Sequence, residues 1–240
     1  MKKLSVLTSI LLTTGIAVLA DPVTPAGTFG TLSDFTAGTG NPNNAFMTST
    51  YTDTGGNTVT VGLQAQGRYS NPTPGNNGAG TYYATPGENY GDPANPTSTS
   101  LNTHLGATWG FDFYFNATGG SFTYKLFYGS DTTSPLYSID PTQIGDNEGT
   151  ANTGGQNIEN LLFPNWGGSS VPNELYSSFD PNADGVYGFK LVAYEGDSPV
   201  ATSAINVHVP DTGSTAMLLG LGFIGLAAFG FKQKRLQTAK

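Results

Sequence analysis

Cysteine is absent from the 240 residues, which excludes disulfides, thiolate metal sites and a cysteine nucleophile together. Charge is scarce as well, at 11% of the chain, and bases are its rarest part. Lys2 and Lys3 stand at the start and Lys232, Lys234, Arg235 and Lys240 at the end, leaving only Arg68, Lys125 and Lys190 between. All seventeen acids fall from Asp21 to Asp211, so that segment carries three positive charges against seventeen negative ones, a net −14. Such a surface repels nucleic acid and anionic head groups, because phosphate binding relies on basic side chains. It attracts divalent cations instead.

Recognisable catalytic arrays are missing too. The two histidines, His104 and His208, form no H-E-x-x-H pattern and read as solitary surface residues, and no G-x-S-x-G elbow, P-loop or dinucleotide fingerprint occurs. Asp112, on an aromatic strand, is the best candidate acid for glycoside hydrolysis. That chemistry needs a second carboxyl at a set distance, which sequence does not supply. The chain therefore reads as non-enzymatic, with no catalytic residue assigned and no cofactor required.

Helical periodicity is scarce between Asp21 and Val209, and alternation of period two takes its place. Val59, Val61, Leu63 and Ala65 alternate in "TVTVGLQAQ", Trp109, Phe111, Phe113 and Phe115 in "WGFDFYF", and Phe122, Tyr124, Leu126 and Tyr128 in "SFTYKLFYG". The intervening "NATGG" predicts a hairpin over 107–129, and "VYGFKLVAYEGDSPVATSAINVHV" predicts a second, turned at Gly196-Asp197-Ser198-Pro199. With 33 Gly and 15 Pro, the expected class is all-β, an antiparallel β-sandwich or jelly-roll-like domain over residues 21–208. "GQNIENLLF" and "VPNELYSSF" each have room for one helical turn. The stretch 71–100, dense in Asn, Pro and Gly, reads as a long surface loop, with Tyr82, Tyr83 and Tyr90 as candidates for gripping a ligand.

Two local motifs carry oxygen ligands or modification chemistry. In "DPNADG", Asp180, Asn182 and Asp184 alternate before Gly185, as in the first half of an EF-hand loop, so they are the calcium candidates. Leu191 stands where such a loop has its bidentate Glu, and an Asx-rich turn explains the same residues. Asn116-Ala117-Thr118 is a formal glycosylation sequon that a plain turn also explains. Trp109 and Trp166 are the candidates for stacking on sugars.

Both ends read as addresses. "MKKLSVLTSILLTTGIAVLA" has a basic start, a short apolar run and small residues at Val18 and Ala20, which predicts a signal peptide over residues 1–20 cut by signal peptidase after Ala20. The stretch 214–231 is uncharged and just long enough to cross a bilayer as a transmembrane helix, with the basic residues after it held in the cytoplasm. Directly before it stand Val209, Pro210, Asp211, Thr212 and Gly213. Pro210 ends strand pairing and Gly213 is permissive, so an extended, accessible segment begins there.

That pentad, span and basic end resemble the VPDSG-CTERM sorting signal, a relative of PEP-CTERM signals, with Thr212 in place of the usual Ser. The resemblance implies residues 209–240 as a sorting signal, an exosortase-type membrane enzyme as processing partner, and a cell-surface or extracellular-matrix destination near extracellular polysaccharide. The segment from Trp109 to Val209 also loosely resembles domains that precede such signals. The same pentad resembles the L-P-x-T-G signal of sortases, and a carbohydrate-binding surface module is the alternative role for the domain.

Overall fold

The computed structural model describes residues 21–32, 35, 46–68, 71–90, 105–144, 154–166 and 170–210. Their strands are β1 (Thr28–Gly30), β2 (Phe46–Thr52), β3 (Thr58–Gly67), β4 (Gly75–Asn76), β5 (Thr81–Tyr83), β6 (Glu88–Tyr90), β7 (Leu105–Ala107), β8 (Trp109–Thr118), β9 (Phe122–Ser130), β10 (Tyr137–Ile139), β11 (Gly154–Glu159), β12 (Gly185–Glu195) and β13 (Ser198–Val209). One short 3-10 turn, Pro141–Gln143, is the exception to an all-β chain among the described residues. The strands form a sheet ordered β1-β2-β3-β8-β11, a second ordered β10-β9-β12-β13-β5-β4, and the small pair β6-β7.

The alternation in the sequence becomes the interior of a sandwich. Val61, Leu63 and Ala65 on β3 stand opposite Phe115, Phe113 and Phe111 on β8, and all six are buried. From the other sheet, Leu126 pairs with Leu191 and Tyr128 with Phe189, and these face inward as well. The two sheets meet where Phe111 stacks on Phe189, with ring centroids 4.1 Å apart. Packing of this kind, apolar on one face of each sheet, is what holds a disulfide-free β domain together. On the outer face of the first sheet a smaller cluster of Leu32, Phe35, Phe46 and Tyr114 covers the middle. Gly62 is needed beneath it, because a Cβ there would stand 2.9 Å from Leu32 Cδ1.

The second predicted hairpin is present. β12 and β13 pair along their length around Gly196 and Asp197, with Gly196 at φ +60°, and Ser198 and Pro199 already lie in β13. The first is corrected. β8 and β9 are consecutive, joined through Gly119 and Gly120 at φ +74° and +71°, but they do not pair with each other. β8 lies between β3 and β11, and β9 between β12 and β10. The connection is an arch that crosses from sheet to sheet, so the apolar faces oppose one another, as in the Phe115–Tyr124 ring contact at 4.4 Å.

Three further expectations change. The stretch 71–100 is not simply a loop: β5 adds to the edge of β13, and this ladder is parallel rather than antiparallel. Tyr82 is thereby buried while Tyr83 stays about half exposed, and the side chain of Tyr90 lies outside the described residues. "GQNIE" is strand β11, not a helical turn, whereas residues 174–178 do make one turn, closed by Phe179 N–H donating to Leu175 C=O at 2.9 Å. The sequon residue Asn116 lies within β8 and pairs with Thr60, so it is a strand residue.

Candidate functional site

Three places bring chemistry-bearing side chains together. The first is around Asp112. Alternation puts it on the face opposite Phe111, yet this part of the face is covered, and Asp112, Gln64, Gln66 and Glu159 are fully buried. Gln64 Nε2 donates to Asp112 Oδ2 at 2.5 Å and Gln66 Nε2 to Oδ1 at 2.9 Å. Burial pushes the carboxyl well above its usual range and nearby Glu159 adds to this, while the Gln64 hydrogen bond and Arg68 oppose it. An enclosed acid with both oxygens engaged has no open path to a glycan.

A raised native pKa has a defined sign for stability. Folded Asp112 keeps its proton at pH values where the carboxyl of the unfolded chain, ionising near the ordinary aspartate value of 3.8, has released it, so stability falls as pH rises through that window. Asp112→Asn removes the titration. Urea midpoints at pH 4, 6 and 8 are expected to fall more steeply for the natural chain than for Asp112→Asn; parallel profiles would show an ordinary carboxyl.

The second place is a cleft of about 580 Å³ at the end of the sandwich where β9 finishes and β12 begins. Its wall holds Asp131, Asp180, Asp184, Tyr137 and Tyr187. Asp180 and Asp184 are therefore brought to a common surface, but Asn182 does not line it. The loop closes as an Asx turn, with Asn182 N–H donating to Asp180 Oδ1 at 2.9 Å. Among the described residues no group of three or more His, Asp or Glu side chains is placed to hold a metal ion. Asp131 and Tyr187 were not singled out from sequence, since each comes from a segment distant from the Asp180 loop and only the fold unites them.

The tryptophans are not available for stacking on sugar. Trp166 is fully buried against Phe111 and Tyr128, and Trp109 is 2% exposed against Phe179 and Tyr187. Both are core residues, which corrects their reading as surface platforms.

The third place is where the chain leaves the domain. His208 is not solitary: its Nε2 lies 2.8 Å from Asp21 Oδ1, and its ring meets Tyr83 edge-on at 5.9 Å. The first described residues are strapped along β13, with Asn206 Nδ2 donating to Val23 C=O at 2.7 Å and a bridge between Ala26 and Ala204. Val209 is 3% exposed and pairs with Gly185. Pro210 is exposed and outside the ladder, as its missing N–H requires.

Residues 208–229 match the family model of the VPDSG-CTERM motif. The chain carries this motif. The VPDSG-CTERM match thus begins inside β13, and its first valine is a core residue as well as a signal residue. Val209 and Pro210 belong to the described fold, moving the edge of the folded unit past residue 208. Asp211, Thr212 and Gly213, the span 214–231, Ala20 with its cleavage site, and His104 lie outside the described residues. Among the described residues no helix is long and apolar enough to cross a membrane. No curated protein and no solved structure matches the chain.

Proposed function

We propose that the protein is exported, sorted through its C-terminal VPDSG-CTERM motif by an exosortase-type membrane enzyme, and displayed as a non-enzymatic β-sandwich at the cell surface or in the extracellular matrix. The observation that carries this reading is the match at residues 208–229, set directly on the last strand of a finished fold. Export is consistent with the absence of cysteine, since the core contains its large aromatic residues without staples. The enclosure of Asp112 supports a role without catalysis. A leader removed after Ala20 leaves Asp21 as the first residue, next to His208.

Intact mass of the mature protein from surface and medium fractions of its host, with the C-terminal peptide sequenced, tests the proposal. An end within Val209 to Gly213 is the expected result. A remnant of peptidoglycan on Thr212 would move the reading to a sortase, and a chain that still ends at Lys240 in every fraction would leave only a membrane anchor.

A further inference from the structure

The strap at the start of the described chain has chemistry of its own, which rests on the proposed removal of the leader after Ala20. The first residue of a chain is ordinarily loose, but Asp21 is held from both sides of the turn that follows it. Val23 exchanges two hydrogen bonds with the Asn206 side chain, its N–H donating to Oδ1 at 3.3 Å and its C=O accepting from Nδ2 at 2.7 Å. Pro22 lies so close to Gly188 that a Cβ there would stand 2.8 Å from the proline Cβ. Ala26 and Ala204 exchange both backbone hydrogen bonds, at 3.1 and 2.9 Å. This strap sets the Asp21 carboxylate against an imidazole, with Oδ1 2.8 Å from His208 Nε2, while the two side chains stay 43% and 33% exposed.

Once the leader is gone, Asp21 carries a free α-amine beside its carboxylate. An amine nitrogen, a carboxylate oxygen and an imidazole nitrogen then meet at one open point, on a domain whose acids outnumber its bases seventeen to three. Among the described residues no group of three or more His, Asp or Glu side chains gathers for a metal; here the third donor comes from the main chain. The amine and carboxylate of one residue close a small chelate ring. Pro22 has no amide proton to lose, so the backbone nitrogen next in line does not coordinate, and His208 supplies the second nitrogen. The spacing selects the geometry. Metal–ligand bonds of about 2.0 Å place neighbouring donors about 2.8 Å apart in a square plane and about 3.3 Å apart in a tetrahedron. The observed 2.8 Å is the square-planar edge, and a plane of nitrogen and oxygen donors suits Cu(II) or Ni(II), with Cu(II) the tighter. We propose that the mature N-terminus is a copper(II) site, with the Asp21 amine and carboxylate and the His208 imidazole at three corners of a square plane and water at the fourth. Copper there ties the first residue of the chain to β13.

The test uses the mature chain purified from its host, its first residue established by N-terminal sequencing. Isothermal titration with copper(II) is expected to show one equivalent bound, with an electron paramagnetic resonance spectrum split by two nitrogens and a melting temperature that rises with copper. His208→Gln should weaken binding about a hundredfold, since even the outer partners of a metal ligand cost about tenfold to a hundredfold, and should leave one nitrogen in the spectrum. Acetylation of the α-amine should do the same while leaving every described contact in place, so it reads the site even where His208→Gln lowers the metal-free melting temperature. His104→Gln should change nothing. Equal loss with His104→Gln, two nitrogens retained after acetylation, or zinc bound as tightly as copper overturns the site. A chain that starts at Asp21 and binds no copper overturns the site alone, whereas a start elsewhere overturns the leader cut as well. None of these outcomes bears on where the C-terminus is processed.

Discussion

A chain ended after Asn206 is expected to melt far below one ended after Pro210. The shorter chain loses Val207, His208 and Val209, and with them the β12 pairs to Tyr187, Val186 and Gly185 and the parallel pairs to Tyr82 and Tyr83. It also loses the His208 C=O that accepts from Ala84 N–H at 2.9 Å and the contact with Asp21. Val207 and Val209 are both core residues. Burial of a valine contributes about 1.5 kcal/mol or more, and the lost ladder bonds add about 1 kcal/mol each. The total, about 5 kcal/mol, is comparable with the whole stability of an ordinary domain. The chain ended after Pro210 keeps every one of these contacts. Thermal melts and urea titrations of the two chains check this, and equal midpoints would show that the motif's first residues are not part of the fold. Processing after Pro210 or beyond it therefore spares the sandwich, whereas a cut after Asn206 does not.

Phe111→Ala is expected to cost about 3–5 kcal/mol, the range for an aromatic removed from a packed core. Phe111 is fully buried, stacked on Phe189 and edge-on to Trp166, at the point where the two sheets meet. For a domain of this size the loss translates into a fall in melting temperature on the order of 10 °C. Phe111→Leu keeps most of the volume and should cost less. Tyr176→Ala, at a residue 45% exposed, should stay within about 0.5 kcal/mol. A Phe111→Ala chain that melts with the Tyr176→Ala chain would mean that the sheets are not held together there.

Particular residues explain what could be read in advance. The β12–β13 hairpin was legible because Gly196 and Asp197 interrupt two alternating runs and nothing competes for those edges. The β8–β9 connection has the same signature and a different outcome. Alternation records which face of a strand is apolar, and that is identical whether two faces lie side by side in one sheet or oppose each other across a core. What decides is the long-range capture of β8 by β3 and β11, invisible in a local window. β5 escaped notice because three residues, all paired in parallel with β13, are too few to carry a period. Trp109 was misread against its own pattern, since it shares the period-two face of Phe111 and Phe113 and is buried with them.

Of the sites, the C-terminal pentad was legible because its parts are contiguous and ordered. The cleft was half legible. The Asp180 turn stood out by spacing, but its neighbours in the cleft, Asp131 and Tyr187, come from the turn after β9 and from β12. Asp112 showed as an odd acid on an aromatic strand, while its enclosure by Gln64 and Gln66 depends on the β3–β8 register.

The direct run of β13 into the signal also governs how the protein bears mechanical load. If the C-terminus is the tether, drag on the body enters β13 at its Val209 end and pulls along the axis of the strand. Ladder bonds to β12 lie across that axis from Gly185 to Glu195, so they are loaded together in shear rather than opened one after another. The parallel grip of β5 and the strap from Asp21 to Ala26 brace the other edge near the point where force enters. A tethered domain built this way resists extraction at the strand where extraction would begin.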